Sequence, residues 1–199
     1  YGTTPTYVSY GGVNMVKNDP PAGRAGKLKV NNSESAVFIG RLDKQTGILS
    51  YVDAVEIIRK KIPNFDFLVI GEGMFKNKIN KKIKILDPLE DAYKYFQHYN
   101  FAFVSRYLSI LEAMASKRLV LAAYDNPLKK DYLRMTAFSE NIIVFNSSKE
   151  LASKVSFYLE NPKEKDRIIE KAYDWVKKQT WEEVAETYLN LWGKILTVF

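Results

Sequence analysis

The chain has 199 residues, 46% of them apolar and 14% aromatic, enough to bury a substantial core and to argue against a disordered segment. It contains no cysteine, so disulfides and cysteine-held zinc or redox centres are excluded, and its single histidine, His98, leaves no cluster for a transition metal. A formal net charge of +7 admits nucleic acid, an anionic membrane surface or a phosphorylated ligand as partners.

Taken in chain order, residues 1–35 are weakly patterned: Thr6–Tyr10 suits a short strand, Gly11-Gly12 a turn, and Asp19–Gly23 an exposed loop or linker. The regular part begins at Ala36. Short apolar runs at Ala36–Gly40, Asp66–Ile70, Ile83–Leu86, Phe101–Val104, Leu119–Ala123 and Ile142–Phe145 read as strands covered on both faces. Between them, Ile48, Tyr51, Val52, Val55 and Ile58 recur at helical spacing, as do Leu89, Ala92, Tyr93 and Phe96. Alternating strands and helices predict right-handed crossovers and a doubly wound, mainly parallel α/β sheet. Three helices close the chain, near 148–160, 163–178 and 181–196. In the last, Trp181, Val184, Ala185, Tyr188, Trp192 and Ile195 form one apolar stripe, suited either to the domain's own core or to docking on a second domain. No apolar run approaches the roughly 20 residues of a membrane span. Lysines are scattered over helix faces, which makes solvation their common role. His98, beside Tyr99, fits a surface or capping position better than a catalytic one.

Ligands of an open parallel sheet bind beyond the carboxyl ends of its strands, and three loops there carry chemistry. In Gly40-Arg41-Leu42-Asp43-Lys44-Gln45-Thr46-Gly47, Arg41 offers a planar fork of donors for diphosphate oxygens and Lys44 a point charge. A solvated arginine is the plainer alternative. Gly71-Glu72-Gly73-Met74 follows the second strand; Gly71 and Gly73 shape either a ligand cleft or a simple turn into a helix. After Phe101–Val104 a polar turn leads into a helix expected to carry Ser109 and Glu112 in its first turn. Backbone N–H groups of Ser109 and Ile110 suit an anion there, and Glu112 a ligand hydroxyl. Equally, Ser109 and Glu112 serve as helix caps.

The run Ser105-Arg106-Tyr107-Leu108-Ser109-Ile110-Leu111-Glu112-Ala113-Met114-Ala115 resembles the nucleotide-sugar site of retaining glycosyltransferases of the GT-B architecture, family 4. Their usual form is S-x-x-E-G-F-G-L-x-x-L-E-A-M-A, and here E-G-F-G is missing between Tyr107 and Leu108. Position 104, eight before Glu112, is Val104 rather than the first glutamate of that family's pair. Gly40–Gly47 resembles the family's G-R-L-x-x-x-K-G, with Arg41 matching and Thr46 in the lysine position. Ile62–Gly71, Thr180–Ala185 and Tyr7–Val13 resemble its strand entry, its terminal helix and its interdomain strand and turn.

The resemblance implies one half of a GT-B enzyme, its donor-binding Rossmann-like domain, over residues 36–199. Residues 1–35 would be an interdomain strand and linker remnant, and helix 181–196 would dock on an absent amino-terminal acceptor domain or partner subunit. It implies binding of a nucleoside-diphosphate sugar at Arg41, Lys44, Gly71, Gly73, Ser109, Ile110 and Glu112, with no metal and no cofactor besides the donor. The chain alone is expected to be inactive. A start at Tyr1 suggests a piece of a longer protein, and the charge and lack of cysteine suit a cytoplasmic place with peripheral contact to an anionic membrane. A non-catalytic scaffold of the same fold is the alternative, favoured by the lost loop and by Thr46. A nucleic-acid partner is not expected, since no stacking motif or helix-turn-helix pattern occurs.

Overall fold

The computed structural model describes residues 11–13, 15 and 34–196. The expected strand at Thr6–Tyr10 and loop at Asp19–Gly23 lie outside the described residues. Six strands form one sheet: β1 Ser35–Ile39, β2 Asp66–Ile70, β3 Lys84–Leu86, β4 Phe101–Phe103, β5 Leu119–Ala123 and β6 Ile143–Phe145. Their order is β3-β2-β1-β4-β5-β6, and every described pair is parallel. This is the doubly wound Rossmann-like order, with its switch point between β1 and β4.

Alternation of side chains sorts the strands' residues onto two faces. Phe38, Phe67, Val69, Phe101, Phe103 and Phe145 face α1 (Ile48–Lys61) and α4 (Ser148–Glu160). Val37, Leu68, Ala102, Val120 and Ala122 face α2 (Tyr107–Ala115) and the 3-10 turn Ala92–His98. The first face is aromatic. Each fully buried phenylalanine there contributes about 1.5–3 kcal/mol of transfer free energy. Tyr51 of α1 is fully buried among them, stacked on Phe103 at 5.3 Å. Its phenol donates to the Leu121 carbonyl at 2.9 Å and accepts from the Ala123 N–H at 2.9 Å, so its polar tip is satisfied. Burial pushes that phenol well above its ordinary pKa.

Local chemistry sets the element ends. Arg59, Lys60 and Lys61 in the last turn of α1 complement the helix dipole, and Pro63 keeps Ile62 out of helical geometry. Asn126 caps α3 (Pro127–Arg134), its side chain accepting from Lys129 N–H at 2.9 Å, with Pro127 in the first helical position. Ser147 caps α4 in the same way at 3.2 Å. Pro162 opens α5 (Pro162–Val176), and α6 (Trp181–Leu196) ends the described chain.

Several boundaries depart from the sequence expectation. β1 starts one residue earlier than Ala36, and Gly40, Ile83, Val104 and Ile142 lie just outside their strands. The pattern at Leu89–Phe96 forms a 3-10 turn over Ala92–His98 rather than an α-helix. Gly71-Glu72-Gly73-Met74 also leads into a 3-10 turn, Lys76–Lys78. α3 was not anticipated at all. Residues of α6 are exposed or half-buried wherever their burial is described; Trp181 is 46% and Trp192 60% exposed.

Candidate functional site

The loops after β1, β2, β4 and β5 meet at the carboxyl edge of the sheet, around the switch point. The first two are locked together by their backbones. Leu42 N–H donates to the Glu72 carbonyl at 2.8 Å and Phe75 N–H to the Leu42 carbonyl at 2.9 Å. Gly71 permits this contact: a Cβ there would lie 1.9 Å from the Gly40 carbonyl oxygen, and one on Gly73 would lie 2.5 Å from that of Leu42. The two glycines thus fix loop packing, and Gly71 also lines a cleft. Glu72 turns outward to pair with Lys76 at 2.7 Å.

Among the described residues, two clefts stand out at this edge. One, of about 450 Å³, is lined by Gly40, Arg41, Gly71, Pro88, Leu89 and Ala92. The other, of about 780 Å³, is lined by Lys44, Ser105, Arg106, Tyr107, Lys129 and Tyr132 among others. Arg41 and Lys44, neighbours in the loop, therefore face different clefts. Gln45 ties the two sides together: its Oε1 accepts from Arg41 Nη2 at 3.1 Å and from Arg106 Nη1 at 3.2 Å. Arg41 Nε also pairs with Asp43 at 3.2 Å. One amide oxygen thus holds two guanidinium groups that come from different strands.

Only three residues, Val104, Ser105 and Arg106, separate β4 from α2. With the turn so short, α2 starts at Tyr107. The structure corrects two expectations on this helix. Glu112 lies in the second turn, not the first. Ile110 N–H is already bonded to the Arg106 carbonyl at 3.0 Å, so it has no donor for a ligand. The N–H groups of Leu108 and Ser109 precede that first intrahelical bond and face the loop. Arg106 at the N-cap makes no side-chain cap bond.

Glu112 is half-buried, one turn beyond the exposed Leu108 on the same helix face. Burial pushes its carboxyl up from 4.5 to about 7. Thr46 is 1% exposed, and its hydroxyl is shared between the Arg41 and Asp43 carbonyls at 2.8 and 2.9 Å. It is thus a loop brace and not a ligand group. His98, at the end of its 3-10 turn, has its pKa lowered by burial and by Arg118.

Sequence reasoning missed Gln45, Arg106 and Lys129. Arg106 stood in the matched segment without a role. The Asn126-Pro127 pair, a capped helix start directly after a strand, was the available signal for Lys129.

A glycosyl transferase-like family model matches residues 52–190. Among solved structures, the chain is similar to Staphylococcus aureus TarM in a complex that includes UDP, at 21% identity and a TM-score of 0.67, covering 90% of this chain and 38% of that one. It is similar to the pneumococcal O-GlcNAc transferase GtfA in complex with UDP and GlcNAc, at 17% identity and a TM-score of 0.67, over 82% of this chain and 36% of that one. The C-terminal domain of LpcC, a glycosyl transferase group 1 family protein from Francisella tularensis, matches at 22% identity and a TM-score of 0.60, over 80% of this chain and 94% of that domain. At these identities the likeness establishes the fold. A curated relative, the GTPase Era of Fusobacterium nucleatum, is 26% identical over 156 residues, 72% of this chain. The chain spans 49% of that relative's length. The G-x-x-x-x-G-K-[ST] run of P-loop proteins does not occur in this sequence, so the Era match brings no phosphate loop with it. The family model also corrects the family 4 expectation. The match is to the glycosyl transferase-like group, homologous to group 1 glycosyltransferases, and not to family 4.

Proposed function

The chain belongs to the glycosyl transferase-like family, and from that membership we propose that it is the donor-binding half of a glycosyltransferase, holding a nucleoside-diphosphate sugar in the switch-point crevice. One observation carries this reading: Gln45 draws the guanidinium groups of Arg41 and Arg106 together at the carboxyl edge of β1 and β4. Planar cationic forks at that place suit the oxygens of a diphosphate. The cleft beside Pro88 and Leu89 offers an apolar seat for a base. Glu112 of α2, which lines neither of the two described clefts, is the acceptor proposed for ribose hydroxyls.

In such a transfer the bond from the anomeric carbon to the diphosphate oxygen breaks as a bond to an acceptor oxygen forms. The chain's part is positioning and stabilisation of the departing diphosphate by fixed cations, which act at full strength because they need no reorganisation. The acceptor would be held by another domain or subunit. Coverage of 36% and 38% of the GtfA and TarM chains, against 94% of the LpcC C-terminal domain, supports that division. On this reading the chain alone does not turn over.

A second reading is a scaffold of the same fold without transfer activity. Calorimetry with UDP separates the two. The donor reading expects saturable binding, weakened about ten- to hundredfold by Arg41→Ala through loss of a charge-assisted contact, and less by Glu112→Gln, whose amide oxygen still accepts. Absence of saturable binding at millimolar UDP, or indifference to Arg41→Ala, would overturn it.

A further inference from the structure

Four cations surround one residue. Arg41 and Arg106 share the Gln45 side-chain oxygen. Lys129 Nζ donates to the Gln45 carbonyl oxygen and to Ser105 Oγ, the latter at 2.9 Å. Lys44 is adjacent on the wall of the same cleft. Lys129 comes from α3, which follows β5 and lines the cleft with Leu128 and Tyr132 as well. Its backbone N–H donates to Asn126 Oδ1, which fixes its place in the first turn. Ser105 in turn donates to the Thr46 carbonyl at 2.8 Å, so the lysine rests on a braced platform rather than in free solvent. The nearby carboxylates do not balance this charge. Against four cations stand two, Asp43, paired with Arg41, and Asp125, which keeps its charge on the wall of the same cleft while accepting from Asn126 Nδ2 at 2.7 Å.

Like charges gathered in a partly buried cleft repel, and an anion between them removes that cost. An ammonium carries three donors. Two of Lys129's meet the protein, which leaves the third for a ligand. The cleft volume of about 780 Å³ is that of a small-molecule site.

We propose that Lys129, with Arg106 and Lys44, forms the seat for the diphosphate on the β4–β5 side of the switch point. The inference rests on the nucleotide reading above. The ammonium's pKa is pushed down to about 8, first by burial; Asp125 and Asp43 oppose that shift, and Arg106 adds to it. A bound diphosphate would restore its charge.

The test uses the full chain, with UDP and inorganic pyrophosphate as probes at pH 7, by calorimetry. Lys129→Ala is expected to lose about ten- to hundredfold in affinity for both probes, as for any charge-assisted contact. Lys129→Arg should retain binding to within a few-fold, and Lys154→Ala, on α4 and paired with Glu150 outside both clefts, should bind as the parent does. UDP affinity should fall between pH 7 and pH 9 in the parent but not in Lys129→Arg, whose guanidinium keeps its charge. Binding of both probes with no loss in Lys129→Ala would overturn this inference and leave the nucleotide reading standing. Lys129-dependent binding of pyrophosphate without any of UDP would keep the anion seat and sink the nucleotide reading. Failure of the parent to bind either would refute both.

Discussion

Glu112 shows how one side chain's surroundings set its chemistry. Its carboxyl is pushed from 4.5 to about 7 by desolvation, so the folded protein holds that proton to higher pH than the unfolded chain does. The sign follows directly. Below about pH 4.5 both states are protonated and the site costs nothing. As pH rises toward 7 the unfolded chain loses its proton first, and folding stability falls. Above 7 the buried charge is a standing penalty. Glu112→Gln should therefore raise the melting temperature of the ligand-free protein at pH 8, by an amount corresponding to roughly 1–3 kcal/mol, and leave it unchanged near pH 4. Equal melting of the two proteins at pH 8 would show that the carboxylate is already compensated. A penalty of this kind, kept in the first helix after the switch point, suits a group that gains donors when a ligand arrives.

The site is made by elements as much as by residues. Gly71 shows it: its backbone lies so close to the Gly40 carbonyl that any Cβ would meet oxygen at 1.9 Å. Gly71→Ala must push the β1 and β2 loops apart, and the cost of such overpacking is roughly 3 kcal/mol or more. Urea unfolding should register that loss, and UDP affinity should fall with it, because Arg41 rides on the displaced loop. A variant as stable as the parent would mean that the loops separate freely. The same layer explains why residue patterns alone misplace the start of α2. Only three residues connect β4 to α2, so the helix begins at Tyr107 and carries Glu112 into its second turn. Ile110, offered by sequence as an anion donor, is thereby drawn into the helix.

For the molecule as a whole, the sheet and its two covering layers are closed while α6 is not. Tyr188, Leu189 and Trp192 are 48%, 63% and 60% exposed, and the Tyr188 and Trp192 rings lie 6.4 Å apart. On the proposed reading, an apolar group of this kind is where a second domain would dock. Since little of Trp192 is buried here, Trp192→Ser should change the unfolding free energy by no more than about 0.5 kcal/mol. A loss of 2 kcal/mol or more in denaturant unfolding would show instead that this face already belongs to the domain's own core.

The sequence by itself determined the layered α/β class and the positions of β2, β5, α4 and α6, because a continuous apolar run and an apolar period of 3.6 are local signals. It also determined that Arg41 stands beside a strand end. Strand order, and with it the switch point, came only from the tertiary structure, since parallel pairing joins residues far apart in the chain. The same holds for the site's composition. Arg41 and Lys44 are three residues apart yet face separate clefts. Lys129, 84 residues beyond Gln45, reaches its carbonyl. Thr46 reads as an open loop position but is folded inward to brace its own turn. Which charges meet depends on how loops from four strands pack at one edge, and no local pattern carries that information.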